Sequence, residues 1–198
     1  MTSAMKNLLK TTGAKTLYLV AGRTCSGKST LVSFLAEKLG LKVVKSYTTR
    51  PMRPGEEVKA DHIFIKKEEV DRFRDQMAAY TKIGEYEYFT TWDVLEGSDI
   101  YIIDPEGIQS LKKKVEETGK NIRFQTIYIT APDEIRRQRA EVRGDKSSVV
   151  KARMEAEDAE FTAFEKATED DSETVWIENT VFQDAVQNMW EVICYACR

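Results

Sequence analysis

The chain has 198 residues, 41% of them hydrophobic and 32% charged, and it carries a net charge of −3 with acids and bases interspersed. This length suits one domain with a real core, or one core with small insertions. The charge balance argues against bulk nucleic-acid binding, and no apolar run approaches the ~20 residues that span a bilayer. Residues 1–15 are too short and too weakly apolar for a secretion signal, so a cytoplasmic location is expected.

Residues 17–21 form an apolar run of strand length. It stops at Gly22, and residues 22–29 read Gly-Arg-Thr-Cys-Ser-Gly-Lys-Ser, matching G-x-x-x-x-G-K-[ST]. Beyond Lys28 the pattern turns helical, with Leu31, Phe34, Leu35 and Leu39 on one face and Gly40 as the stop. Strand, glycine loop and helix form the context that a phosphate-binding loop requires. Glycines let the backbone curl so that successive N–H groups face phosphate oxygens, and the helix adds the positive end of its dipole. Gly22, Thr24, Cys25, Ser26, Gly27, Lys28, Ser29 and Thr30 are therefore candidates for holding ATP. Lys28 would neutralise the β- and γ-phosphates, and the Ser29 hydroxyl would sit on Mg²⁺.

Residues 41–45 read as a second strand. Residues 46–56 follow as a loop rich in hydroxyls, prolines and arginines, with Arg50 and Arg53 three apart. On composition alone this is a solvated basic turn. Within reach of a triphosphate loop it becomes a site where guanidinium forks capture an acceptor phosphate. Residues 61–65 alternate as a strand, and 67–79 read as a helix with Val70, Phe73 and Met77 as its stripe. Residues 84–91 alternate again, as a strand or hairpin. The stretch from 46 to about 97 thus reads as a small mixed insertion.

A third apolar run, 100–103, ends in Asp104-Pro105-Glu106-Gly107, acids at a strand tip where open α/β sheets bind ligands. A helix over 108–118 and a strand over 124–129 follow, and the alternation predicts a parallel sheet flanked by helices. Arg136, Arg139 and Arg143 then recur at helical spacing, with Arg153 on the next helix. They could form a solvated face balanced by Glu134, Glu141, Glu155 and Glu157, with Arg137 paired to Glu141. Phosphoryl transfer also needs mobile positive charge, and a lid of arginines would supply it. Residues 175–177 make the last strand, Asn179 its exit turn, and 181–195 a terminal helix with Phe182, Val186, Met189, Trp190 and Ile193 inward. Of the three cysteines, Cys194 and Cys197 form a C-x-x-C. With only Cys25 and His62 as further soft ligands, zinc is not expected and the thiols read as reduced and partly buried. A redox-sensitive Cys25 beside Lys28 is the alternative.

From Leu17 to Ile193 the chain resembles the guanylate kinase family. The most diagnostic piece is Ser46-x-Thr48-Thr49-Arg50-x-x-Arg53-x-Gly55-Glu56, which looks like the family's GMP-binding signature. Asp104-x-Glu106-Gly107 resembles the D-x-Q-G after the third core strand. Arg139-x-x-x-Arg143-Gly144, with Arg153 and Glu160 beyond, resembles the lid segment. The resemblance implies one domain: a P-loop three-layer α/β core with a mostly parallel central sheet (about 1–45, 99–135 and 161–198), a small mixed acceptor-binding insertion (about 46–98) and a helical lid (about 136–160). It implies transfer of the ATP γ-phosphoryl group to GMP or dGMP with Mg²⁺, in a cytoplasmic monomer or homodimer that engages nucleotides and neither nucleic acid nor membrane.

By the same resemblance, Arg50, Arg53 and Tyr88 would hold the acceptor phosphate, and Ser46, Thr90 and Asp104 would line the base pocket. His62 stands in the slot of a tyrosine that touches the acceptor phosphate, and Asn179 in that of an asparagine near adenine. Lys28, Arg53, Arg139, Arg143 and Arg153 would stabilise the transferred group, with Ser29 and Asp104 at the metal. Three departures stand out. Cys25 replaces the phosphate loop's usual third glycine, and Lys59 replaces a glycine of the acceptor loop. Ala78 falls where a glutamate reads the guanine edge, in front of a segment, 84–90, one residue longer than usual. Glu85 or Glu87 could substitute, or the acceptor could be another (d)NMP or a ribose bisphosphate. A non-catalytic phosphopeptide-binding module is a further alternative, which predicts a degraded phosphate loop.

Overall fold

The structure, a computed structural model, describes residues 15–52 and 62–195. Arg53, Gly55, Glu56, Lys59 and Cys197, singled out above, lie outside the described residues.

Strand β1 (Lys15–Ala21) sends Leu17, Leu19 and Ala21 into one hydrophobic cluster and Tyr18 and Val20 into another. A strand apolar on both faces must be covered on both, which requires three layers. β1 lies between β6 (Ile100–Ile102) and β7 (Ile122–Thr130), and β7 continues to β8 (Thr174–Glu178). Every pairing in this four-stranded sheet, ordered β6-β1-β7-β8, is parallel. One face is covered by α1 (Lys28–Leu39) and α6 (Phe182–Tyr195), through Leu31, Leu35, Ala185, Met189 and Ile193. The other is covered by α3 (Pro105–Thr118) and the second half of α5 (Ser147–Thr168), through Ile108, Leu111, Phe161 and Phe164. The expected parallel α/β core is present.

A second four-stranded sheet carries the insertion. Its order is β3-β2-β5-β4, with β2 (Ser46–Thr48) parallel to β3 (His62–Phe64) and antiparallel to β5 (Tyr86–Thr91). β4 (Met77–Ile83) and β5 form a hairpin closed by Gly84-Glu85, where Gly84 has φ +61°. Such a two-residue turn needs positive φ, which glycine adopts without strain.

Three expectations are corrected. Residues 41–45 do not form a strand beyond a single bridge from Val43 to Ile100. The Lys42 N–H donates to the Asp99 carboxylate and its carbonyl accepts from the Asp99 and Ile100 N–H groups, so the segment is pinned against β6 without forming a strand. Residues 67–79 are not one helix: a 3₁₀ helix (Lys67–Gln76) gives way to β4 at Met77. Antiparallel pairing with β5, from Met77 opposite Thr91 onward, overrides helix propensity there, and α3 packs close enough on this strand for Ser110 Oγ to accept from the Tyr80 N–H at 3.3 Å. Phe34 is 37% exposed and meets Phe182 edge-on at the surface, while Val32 and Ala36 take the inward positions. A short helix, α2 (Trp92–Glu96), follows β5 with Leu95 buried; no expectation covered it. Among the described residues no helix is long and apolar enough to cross a membrane.

Candidate active site

The loop between β1 and α1 is held in its curl by neighbours from distant strands. A Cβ on Gly22 would stand 2.2 Å from the Ile129 carbonyl oxygen, and one on Gly27 would stand 2.3 Å from Asn179 Nδ2. Both glycines also have positive φ, +147° and +94°. Each position excludes side chains twice over, by conformation and by space. Cys25, at φ +60°, is the one described non-glycine residue in the left-handed region, where a Cβ costs roughly 1–2 kcal/mol.

Lys28 opens α1 and folds its ammonium back onto the carbonyls of Gly22 and Arg23, the latter at 3.0 Å. Desolvation lowers its pKa to about 8, against the attraction of Glu157. Ser29 and Thr30 present their side chains to solvent in the first helical turn. From behind, the Ser26 carbonyl accepts from Asn179 Nδ2 at 2.7 Å and from Arg139 Nη1 at 3.0 Å. Arg139 Nη2 also donates to the Asn179 carbonyl at 2.6 Å. Asn179 thus lies buried beneath the loop, joined to β7 through its N–H on the Thr130 carbonyl.

Helix α4 (Asp133–Val142) and α5 bring the remaining arginines. Arg143, just past α4, pairs with Asp145 and reaches Cys25 Sγ at 3.5 Å. Arg153 faces the same Asp145 at 3.9 Å. Arg136 belongs to neither a solvated face nor the cleft: it is 2% exposed and bonded to Thr24, Asp133 and Glu157. Arg137 pairs with Asp133 at 3.7 Å, in place of the expected Glu141. Arg23 forks onto Glu165 and Asp158 and reaches Thr162, contacts that hold its charge more firmly than usual.

One cleft of about 800 Å³ joins Gly22, Thr24 and Lys28 to Ser46, Arg50, His62, Tyr88, Asp104 and Arg153. Ser46 Oγ and His62 Nδ1 are 2.7 Å apart, and the His62 ring meets Tyr88 edge-on at 5.7 Å. Arg50 is buried, with its guanidinium 5.0 Å above the Phe64 ring. Asp104 caps α3, its Oδ1 accepting from the Gly107 N–H at 2.6 Å and from Thr81 Oγ1 at 3.1 Å. Burial pushes that carboxyl above its ordinary range in spite of both bonds. Thr90 is fully buried opposite Ala79, and its Oγ1 has no partner among the described residues. Ala79 lines the cleft and Ala78 lies in the core, so neither offers a carboxylate. Glu87 faces away, paired with Arg74 at 3.2 Å, whereas Glu85 stands at the cleft rim. Thr81, Arg23 and the Arg136–Glu157 contact escaped the sequence reading. For the last, the sequence offered only Glu157 as one of several acids balancing the arginines, on a solvated face rather than a buried one.

No family model matches the chain. Curated relatives do: a guanylate kinase of Vibrio parahaemolyticus is 32% identical, with 73% of this chain and 73% of that protein covered. One of Legionella pneumophila is 30% identical, over 70% of this chain and 68% of its own. In three dimensions the chain resembles the crystal structure of guanylate kinase from Anaplasma phagocytophilum, with TM-score 0.62 and 16% identity over 94% of this chain and 90% of that one, a likeness of fold. A parallel three-layer core, a curled glycine loop opening into a cleft walled by the second sheet, and these relatives together place the chain in the guanylate kinase family.

Proposed function

We propose that this chain transfers the γ-phosphoryl group of ATP to GMP or dGMP. The observation that carries the reading is the single cleft with a phosphate loop at one end and Arg50, His62 and Tyr88 at the other. Such a cleft suits a reaction that consists mainly of bringing two phosphates together and stabilising charge between them. The acceptor is already an anion, so no general base is required.

In this reading the loop from Gly22 to Thr30 seats the triphosphate, with Lys28 moving from its backbone carbonyls onto the β- and γ-oxygens. Asn179 and Arg139 act from beneath, on the Ser26 carbonyl, and Asn179 borders the adenine end. Arg50, Arg53, His62 and Tyr88 hold the acceptor phosphate. Ser46, Thr90 and Asp104 are read as surrounding its base; Ser46 and Asp104 line the cleft, whereas Thr90 is fully buried outside that lining. Arg143 and Arg153, on a lid of about residues 136–160, meet the transferred group, whereas Arg139, bonded to the Ser26 and Asn179 carbonyls, acts on it through the loop. Ser29 and Asp104 are hard oxygen donors that fit Mg²⁺, an ion that keeps most of its contacts with phosphate and water. When bound, that ion offsets charge on the β- and γ-phosphates. The enzyme is read as a cytoplasmic monomer or homodimer with nucleotides as its partners. Intact Lys28, Ser29 and lid arginines disfavour a non-catalytic binding module.

A coupled ADP-release assay across GMP, dGMP, AMP, CMP, UMP and dTMP tests the proposal. GMP and dGMP are expected to be the best acceptors. Turnover with another nucleotide alone would reassign the acceptor, and no acceptor-dependent release would remove the kinase reading.

A further inference from the structure

We propose that Arg136 and Glu157 form a positioning pair that sets the phosphate loop to receive the triphosphate of ATP. The proposal rests on the function above and concerns two side chains that act through the loop backbone. Arg136 comes from α4 and Glu157 from α5, and they take hold of one residue, Thr24, from both sides. Both carboxylate oxygens of Glu157 accept from the Thr24 N–H at 2.9 Å. Arg136 Nε donates to the Thr24 carbonyl at 2.9 Å, while its Nη2 donates to Glu157 Oε1 at 2.9 Å. The contacts close a ring of N–H, carboxylate, guanidinium and carbonyl around Thr24. Arg136 Nη1 continues to Asp133 at 3.2 Å.

A buried ion pair is weak support for a fold, since apolar residues of similar volume often replace one without loss. An apolar pair cannot orient a peptide group. Thr24 immediately precedes Cys25, the residue held at φ +60°, so fixing the Thr24 N–H and carbonyl fixes the entry to the strained turn. The N–H groups that meet phosphate follow that turn, and their direction is set where the pair takes hold. Arg23, one residue earlier, is forked onto Glu165 and Asp158 of the same helix. Helix α5 therefore grips two consecutive loop residues, by side chain at Arg23 and by backbone at Thr24.

The parent is compared with Glu157→Gln and with the double variant Arg136→Met/Glu157→Leu. The readouts are thermal unfolding, KM for ATP and for GMP, and the calorimetric Kd for ADP with Mg²⁺. The double variant is expected to melt close to the parent, to raise the ATP KM and ADP Kd at least about tenfold, and to leave the GMP KM within about twofold. Glu157→Gln keeps an acceptor oxygen for Thr24 and loses the charge, so its ADP Kd is expected to rise about two- to fivefold. A folded double variant with parental ATP KM and ADP Kd overturns the pair. Tighter ADP binding in either variant also overturns it, because the carboxylate would then be a placeholder that nucleotide displaces. Should the double variant not fold, the glutamine variant decides, and unchanged or tighter ADP binding overturns the proposal. A parent that binds ADP but does not phosphorylate GMP would refute the proposed function instead, and the ADP constants would still decide the pair.

Discussion

Cys25 is strained by a side chain that its place in the turn does not favour. Replacing it by glycine relieves the left-handed penalty, while the freer unfolded chain takes back part of the gain. The net stabilisation of Cys25→Gly is expected to be about 0.5–1 kcal/mol. Urea unfolding of Cys25→Gly beside Cys25→Ala checks this, since alanine removes the thiol but keeps the strain; equal stabilities would show that backbone conformation is not the issue. At the end of the cleft proposed for the acceptor, Arg50 is buried over Phe64 and lines the wall. Loss of one charge-assisted contact to phosphate predicts that Arg50→Ala raises the acceptor's KM about 10- to 100-fold and leaves that of ATP near its parental value. Steady-state kinetics with each substrate varied in turn would show it, and the opposite pattern would remove Arg50 from the acceptor site.

Among the elements, α5 is divided. Its second half places Phe161 and Phe164 in the core and receives Arg23, whereas the first half buries only Val150. Opening free energy follows buried contacts, so hydrogen exchange in ligand-free protein is expected to be at least about tenfold slower over residues 159–168 than over 148–155. Uniform rates along the helix would contradict a division into anchored and mobile halves. The same element shows what sequence can and cannot reveal. Its apolar residues mark a helix, and Glu157 is visible as a charge. That Glu157 caps a loop N–H depends on a partner 133 positions away, a tertiary fact without local signature.

Across the molecule, the phosphate loop and core strands were legible because each is a local pattern that reports its own surroundings: strand-length apolar runs buried on both faces, and glycines where the chain must curl. Boundaries were lost where one pattern serves two structures. Val70, Phe73 and Met77 suit a helical stripe as well as the 3₁₀ turn and strand start that they form. Residues 41–45 carry a strand's composition, yet with the Lys42 N–H taken by the Asp99 carboxylate their pairing with β6 stops at a single bridge. The cleft wall facing the loop was legible through Ser46, Arg50, His62 and Asp104, which share that cleft. Thr81 was hidden because its reach to Asp104 requires α3 to sit against β4.

The loop's supports also impose an order of assembly. Gly22 is hemmed by Ile129, and the Ser26 carbonyl is satisfied by Asn179, 153 positions downstream. The glycine loop is therefore encoded early and completed late. A nascent chain released before β8 has joined the sheet would carry the whole motif in its letters yet lack the Asn179 contact beneath Ser26 that completes its support.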